Sequence, residues 1–261
     1  MELELQGKVA LVTGASRGIG AAIADELARE GVDLFLVAGS RPDLTRVAER
    51  LREATQRKVA IHAADLQVPA TADQVVRAAV MAFGRLDILV NCAGATRSGN
   101  FFEATDDDWL DAFGVKFHGA VRMSRSAWPH LRASRGCIVN IVGNTSRTGR
   151  AELGINGAVN AAFLNLTKVL ADIGRREGVR VNAINPGRVA TRRLARSLEK
   201  IAGEQSVSLE DAAKRLLDST GIARFGEPKE IGWLVAYLAS PRADFIQGAI
   251  IEIDGGETRA L

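Results

Sequence analysis

Seven short runs of β-favouring apolar residues recur along the chain with longer stretches between them, and that alternation sharply limits the available architectures. The runs cover residues 9–12, 34–37, 59–62, 86–90, 137–142, 179–184 and 249–253. Each is nearly continuous in hydrophobicity, the pattern of strands covered on both faces rather than of a half-solvated antiparallel sheet. Residues 18–30, 106–133, 155–177 and 227–239 read as helices. In the first, Ile19, Ile23 and Leu27 recur every fourth residue along one apolar stripe, and Gly31 closes the helix. Strand–helix–strand connections of this kind are right-handed. The expected fold class is therefore α/β, a three-layer doubly wound Rossmann fold with a mainly seven-stranded parallel sheet.

A length of 261 residues suits one large domain, and no linker, repeat or low-complexity tract divides it. Residues 1–261 are read as a single dinucleotide-binding domain. The rhythm breaks at 190–225, where charged helical sequence is inserted before the last strand. In an open α/β sheet such an insertion lies near the carboxyl ends of the strands, so a substrate lid is expected there. No segment approaches about 18 consecutive apolar residues, which argues against a membrane span. The acidic, alternating start Met1-Glu2-Leu3-Glu4-Leu5 lacks the features of a secretory signal, so a cytoplasmic location is expected.

The net charge of +3 is weak ground for nucleic-acid binding. The arginines cluster locally, with Arg188, Arg192, Arg193 and Arg196 in one group and Arg147 and Arg150 in another. They form either a solvated surface or a rim that attracts an anionic substrate or a cofactor phosphate. Cys92 and Cys137 lie in or beside apolar runs, and His62, His118 and His130 are scattered. Nothing there has metal-ligand spacing, and buried free thiols are expected.

The first apolar run leads into Thr13-Gly14-Ala15-Ser16-Arg17-Gly18-Ile19-Gly20, where a helix begins. Gly14 permits a tight turn, Gly18 lets backbone approach a pyrophosphate, and Gly20 lets the helix pack closely. The helix start offers unpaired N–H groups and partial positive charge to phosphates. A strand before and a helix after make this a specific signal for a dinucleotide.

These residues resemble the nucleotide motif of the short-chain dehydrogenase/reductase family, and further matches span nearly the whole chain. Asp65 resembles the residue that holds the adenine, and Asn91-Cys92-Ala93-Gly94 resembles an Asn-Asn-Ala-Gly element with its second Asn replaced. Residues 180–187 resemble the strand and turn that cover the nicotinamide, Thr191 a carboxamide contact, and Asp254-Gly255-Gly256 the C-terminal element. The resemblance implies a dinucleotide held by Gly14, Ser16, Arg17, Gly18, Ile19 and Gly20, by Ser40 and Arg41, and by Asp65 and Leu66. It also implies contacts from Asn91, Ala93 and Gly94, and from Pro186, Gly187, Val189 and Thr191. It further implies a homodimer or homotetramer, with Leu234, Tyr237 and the C-terminal segment near the contact.

An NAD site usually places a carboxylate at the end of the second strand to hold the ribose hydroxyls. Here that position is Ala38, followed by Gly39-Ser40-Arg41. Arg17 and Arg41 suit a 2′-phosphate, since guanidinium pairs bidentately with phosphate, and NADP(H) is favoured over NAD(H). The plainer reading of Arg41 is a turn residue before Pro42.

The family's chemistry uses a Tyr-x-x-x-Lys pair, a serine and an asparagine. Counting back from Thr167-Lys168 and Pro186-Gly187 puts Asn156 at the tyrosine position and Asn160 at the lysine position. Gly143 falls at the serine position, with Asn144, Thr145 and Ser146 just after it, and Lys116 falls at the asparagine position. The one tyrosine, Tyr237, lies in a distant apolar helix. Asn156 and Asn160, at i and i+4, share a helix face, but an amide is no general acid. Lys116 is the titratable newcomer, either a proton donor whose pKa burial lowers or a surface lysine; His118 should face elsewhere.

Three readings follow. One is an NADP(H)-dependent oxidoreductase of the 3-oxoacyl-carrier-protein reductase type, acting on a small, possibly anionic carbonyl or alcohol through a non-standard active site. The second is an inactive dinucleotide-binding pseudoenzyme that serves as sensor or assembly partner. The third is a lyase on the same scaffold. Neither a nucleic acid, a membrane nor a metal is expected as a partner.

Overall fold

The computed structural model describes residues 2–94 and 100–259. Seven strands, β1 (Val9–Thr13), β2 (Asp33–Ala38), β3 (Val59–Ala63), β4 (Ile88–Asn91), β5 (Cys137–Ile141), β6 (Arg180–Pro186) and β7 (Ile250–Ile253), form one sheet. Their order is β3-β2-β1-β4-β5-β6-β7, and every neighbouring pair is parallel. This is the doubly wound Rossmann topology that the sequence pattern implies. The order reverses between β1 and β4, the position at which open sheets of this kind bind ligands.

Alternation along β1 divides the core in two. Ala10 and Val12 pack with α1 (Gly18–Arg29), α2 (Arg41–Thr55) and α9 (Pro228–Ala239), through Ile23, Leu27, Leu44, Val47, Val235 and Leu238. Val9 and Leu11 face the opposite layer, with Val75 and Val76 of α3 (Thr71–Phe83) and Met123 and Leu131 of α5 (Gly119–Ser134). Apolar side chains on both sides explain why the strands read as unbroken hydrophobic runs.

The expected helices at 18–30, 155–177 and 227–239 appear as α1, α6 (Gly154–Glu177) and α9. Gly31, at φ 84°, follows α1. The apolar periodicity gives no sign of α2 or α3. The charge-rich α2 buries only Leu44, Val47, Ala48 and Leu51, and its start is set by Ser40, whose Oγ accepts from the Asp43 N–H. The fourth strand starts at Ile88 rather than 86, because the Asp87 carboxylate accepts the Val9 N–H at 2.9 Å just ahead of the ladder.

The single helix expected over 106–133 is interrupted. α4 (Asp106–Ala112) passes into a π-helical turn over Phe113–His118 and then into α5. The wide turn ends between Gly114 and Gly119, against which Gln67 and Leu66 pack closely. A π-turn carries one extra residue, which changes the direction in which its side chains point.

The 190–225 insertion holds α7 (Arg192–Gln205) and α8 (Leu209–Thr220). These helices bury only Leu194, Ala212 and Leu216, the light anchoring expected of an element at the low-stability end of a fold. Among the described residues, no helix is long and apolar enough to cross a membrane.

Candidate active site

The loops after β1, β4, β5 and β6 converge at the carboxyl edge of the sheet. Gly14 has φ 69°, and a β-carbon there would lie 2.8 Å from the Cys92 carbonyl oxygen. At Gly20 a β-carbon would lie 2.3 Å from the Gly14 carbonyl oxygen. Both glycines are therefore required by the close approach of backbone to backbone. The first turn of α1 has no acidic residue, and Arg17, its N-cap, makes no side-chain capping bond. The amide groups at this helix start are thus left for an anion, as a pyrophosphate cradle requires. Ile19 packs partly against the core behind it, and Ser16 lies within the loop.

Thr13 ties this loop to the next one. Its hydroxyl donates to the Val90 carbonyl at 3.2 Å and accepts from the Cys92 and Ala93 N–H groups at 3.0 and 3.1 Å. Asn91 is turned inward, donating to Asn140 Oδ1 at 2.9 Å and Ser124 Oγ at 3.2 Å. Leu66 is likewise buried beside Gly119, whereas the Asp65 carboxylate, on an exposed residue, accepts the Gln67 N–H at 2.9 Å.

Lys116 is buried, which settles its alternative reading as a surface side chain. It comes from the π-turn; its stem runs beside Gly94, where a β-carbon would meet Lys116 Cδ at 3.2 Å. Its ammonium donates to the Val142 carbonyl at 2.5 Å, at the end of β5. Burial lowers its pKa to about 7; the nearby Arg193 charge adds to the fall and Cys92 opposes it. Burial pushes the Cys92 thiol up to about 12, so it is neutral at physiological pH. His118, expected to face elsewhere, is exposed.

Next to Lys116 lies an amide cluster. Asn156 and Asn160 are buried on α6. Asn160 Nδ2 donates to Thr145 Oγ1 at 2.7 Å, while its buried Oδ1 has no protein partner. Gly143 has φ 147°, and its N–H donates to Asn185 Oδ1 at 3.2 Å. Asn144 Nδ2 donates to the Glu257 carboxylate at 2.9 Å.

Glu257 gathers much of the arginine group. Its side chain is 3% exposed and is paired with Arg150 at 2.9 Å and Arg188 at 3.2 Å. Arg147 pairs with Glu252 at 2.9 Å. Three of the six clustered arginines are therefore internally neutralised, which corrects the reading of the whole group as either a solvated surface or an anion-attracting rim. Glu252 and Glu257 lie far along the chain from their partners, with 107 residues separating Arg150 from Glu257, so local spacing held no signal for these pairs. Arg193 differs. It is exposed in the first turn of α7, and desolvation lowers its pKa, with Cys92 opposing and Arg17 adding.

The turn after β6 seals the other side. The Gly187 N–H donates to the Ile253 carbonyl at 3.1 Å, next to Pro186, and Val189 bridges to Gly226. Thr191, at the N-cap position of α7 without a side-chain capping bond, places its methyl 3.5 Å from where a β-carbon on Gly18 would be. At the far end, β2 stops at Ala38, followed by Ser40 and the exposed Arg41. The acid nearby in sequence, Asp43, is held below the usual carboxylate range by its bonds to Ser40 and Arg46 and by the Arg17 charge. Lys168 is tied to the Gly248 carbonyl at 2.6 Å, and Tyr237 packs on the α1 side of the sheet. Among the described residues no group of His, Cys, Asp or Glu forms a metal site.

Known proteins match the chain over nearly its whole length. A family model described as enoyl-(acyl carrier protein) reductase matches residues 14–258. The short-chain reductase protein NovJ of Streptomyces niveus is 34% identical, over 96% of this chain and 94% of its own. The meso-2,3-butanediol dehydrogenase of Serratia marcescens is 30% identical, over 98% of this chain and 96% of its own. The L-sorbose reductase of Gluconobacter frateurii, solved with NADPH and L-sorbose, superposes with a TM-score of 0.96 at 31% identity, covering 100% of both chains.

Proposed function

The chain belongs to the short-chain dehydrogenase/reductase family, and from that premise we propose an oxidoreductase that uses NADP(H) on a small carbonyl or alcohol, with Lys116 handling the proton. Relatives named as reductases and dehydrogenases, and a structural neighbour solved with NADPH, support the reaction class. The glycine contacts at Gly14 and Gly20 and the uncapped start of α1 fit a dinucleotide pyrophosphate. Arg17 and Arg41 fit a 2′-phosphate, and Ala38 presents no carboxylate to repel one. The bound dinucleotide supplies the hydride.

The observation that carries the proton assignment is the buried Lys116 ammonium at the end of β5. In this reading Asn156 and Asn160 replace the family's tyrosine and lysine, Gly143 replaces its serine, and no phenol is at hand. Lys116 holds a proton at Nζ and, with a pKa near 7, gives it to a forming alkoxide or takes it from an alcohol. Asn156, Asn144 and Thr145 supply amide and hydroxyl groups to orient the substrate oxygen. α7 and α8 exclude water from above.

The test is NADPH binding followed by fluorescence, then turnover on a panel of carbonyl compounds by wild type and Lys116→Met. Turnover that falls at least about a hundredfold in Lys116→Met, with NADPH binding retained, is the expected result. Unchanged turnover overturns the lysine role, and tight NADPH binding with no turnover on any substrate overturns the oxidoreductase reading.

A further inference from the structure

The loop after β5 is held from behind by residues far along the chain. Asn185 of β6 is fully buried, and its Oδ1 accepts the Gly143 N–H at 3.2 Å. Its Nδ2 donates to Ser146 Oγ at 3.2 Å and to the Glu252 carboxylate at 2.9 Å. Glu257 accepts from Asn144 Nδ2 at 2.9 Å and from the Arg150 guanidinium at 2.9 Å. One carboxylate therefore grips both ends of the stretch 144–150. The local ties of this stretch are slight: the 3-10 turns Asn144–Ser146 and Ala151–Leu153 have no side-chain cap. Its conformation depends on the distant contacts.

The same carboxylate reaches the turn after β6. Glu257 pairs with Arg188 at 3.2 Å. A β-carbon on Gly187 would lie 3.2 Å from Glu257 Oε2 and 2.5 Å from Asp254 Cβ, so the turn lies flat against the C-terminal segment. Asp254 folds that segment into place, its carboxylate accepting the Gly256 N–H at 3.0 Å and the Thr258 N–H at 2.8 Å. The Glu257 side chain is 3% exposed, so it acts through its partners and not by contact with a bound molecule. A carboxylate withdrawn from water needs those partners, which makes the joint stiff.

We propose that Glu257 is a positioning residue for the reaction: it locks the loop after β5 to the turn after β6 and so sets where Gly143 and Asn144 stand. This rests on the oxidoreductase reading. Gly143 follows Val142, whose carbonyl receives the Lys116 ammonium, and a β-carbon on it would lie 2.9 Å from Asn160 Nδ2. A shift of this loop therefore moves the groups around the reacting oxygen relative to the proton donor. Misplacement by about 1 Å can slow a reaction roughly a hundredfold, even when the altered residue lies away from the chemistry.

The experiment compares wild type, Glu257→Gln, Asn144→Ala and the double variant, each well below its melting temperature. Hydrogen–deuterium exchange, NADPH affinity and kcat on the panel of carbonyl compounds are measured. Glu257→Gln should speed exchange at 144–150 and 187–189 well beyond any change at β1 and β2. Its kcat should fall about tenfold or more, with NADPH affinity within about twofold of wild type. The double variant should be no slower than the slower single variant, because Glu257 acts through Asn144. Glu257→Asp keeps the charge and withdraws it by one methylene; it should show a smaller loss, and it carries the test if Glu257→Gln fails to fold. The proposal is overturned if kcat stays within about twofold of wild type, if the two losses multiply, or if exchange rises no more in these loops than in β1 and β2. A wild type that turns over no carbonyl compound sinks the oxidoreductase reading. Faster loop exchange in Glu257→Gln would then still support the lock between the two loops, and unchanged exchange would overturn it.

Discussion

A β-carbon at Gly143 would lie 2.9 Å from the side-chain nitrogen of Asn160, so these two positions exclude one another's bulk. Gly143 also has φ 147°, a backbone conformation that favours glycine. The absence of a serine here and the presence of an amide on α6 are therefore one structural choice. Gly143→Ser should cost about 1–3 kcal/mol from backbone strain, before any displacement of Asn160. Asn160→Ala in the same protein should recover the steric part only. Thermal unfolding of the single and double variants measures both, and a serine that leaves the melting temperature unchanged would show that the loop relaxes freely.

The proton role proposed for Lys116 carries a definite pH dependence. Reduction needs the protonated amine, which is present below its pKa of about 7, so carbonyl reduction should slow as pH rises past that value. Alcohol oxidation needs the neutral amine and should speed up over the same interval. Rates in both directions, measured across pH at saturating substrate, check the pair of opposite slopes.

The same lysine makes a stability prediction. Its folded pKa lies near 7, below the ordinary 10.5, so between those values the unfolded chain binds the extra proton. Stability contributed by this site therefore rises with pH across that window and is least below pH 7. Lys116→Met should remove the dependence and raise Tm at pH 7, by about 2–4 °C for each kcal/mol recovered. Melting curves at several pH values decide it.

Cofactor selection should depend on the segment after β2. Arg41→Ala, alone and with Arg17→Ala, should weaken NADPH roughly tenfold or more while changing NADH far less, since only NADPH carries the third phosphate. Equal losses for both nucleotides would assign these arginines to the shared pyrophosphate.

Glu257 holds Arg150, Arg188 and Asn144 through one buried carboxylate. Glu257→Gln should destabilise the protein by about 1–3 kcal/mol, less than for a fully buried pair because both arginines are partly exposed. Chemical denaturation at neutral pH, compared with high salt, measures this; a marked salt sensitivity of the wild type would show the network to be solvent-screened.

The sheet was legible in the sequence because burial on both faces leaves a direct compositional trace in the seven runs. The glycine-rich turn after β1 was legible for a similar reason: close backbone approach at Gly14 and Gly20 admits one residue type. α2 escaped notice because its stripe is narrow and its exposed face highly charged. The pairing of Arg150 and Arg188 with Glu257 left no local trace, since it depends on how β6 and the C-terminal segment meet. Whether Lys116 faced water or the interior was undecidable from helical periodicity, because Phe113–His118 does not keep that period.

That widened turn makes one position along the chain unusually consequential. Residues at an ordinary helical pitch are separated by roughly 100° of rotation, so removing a single residue between Phe113 and His118 would rewind the segment and swing Lys116 away from Val142. A one-codon deletion would thus remove the proposed proton donor while sparing the sheet, the glycine loop and both cores. The register of one helix decides whether that ammonium reaches the end of β5.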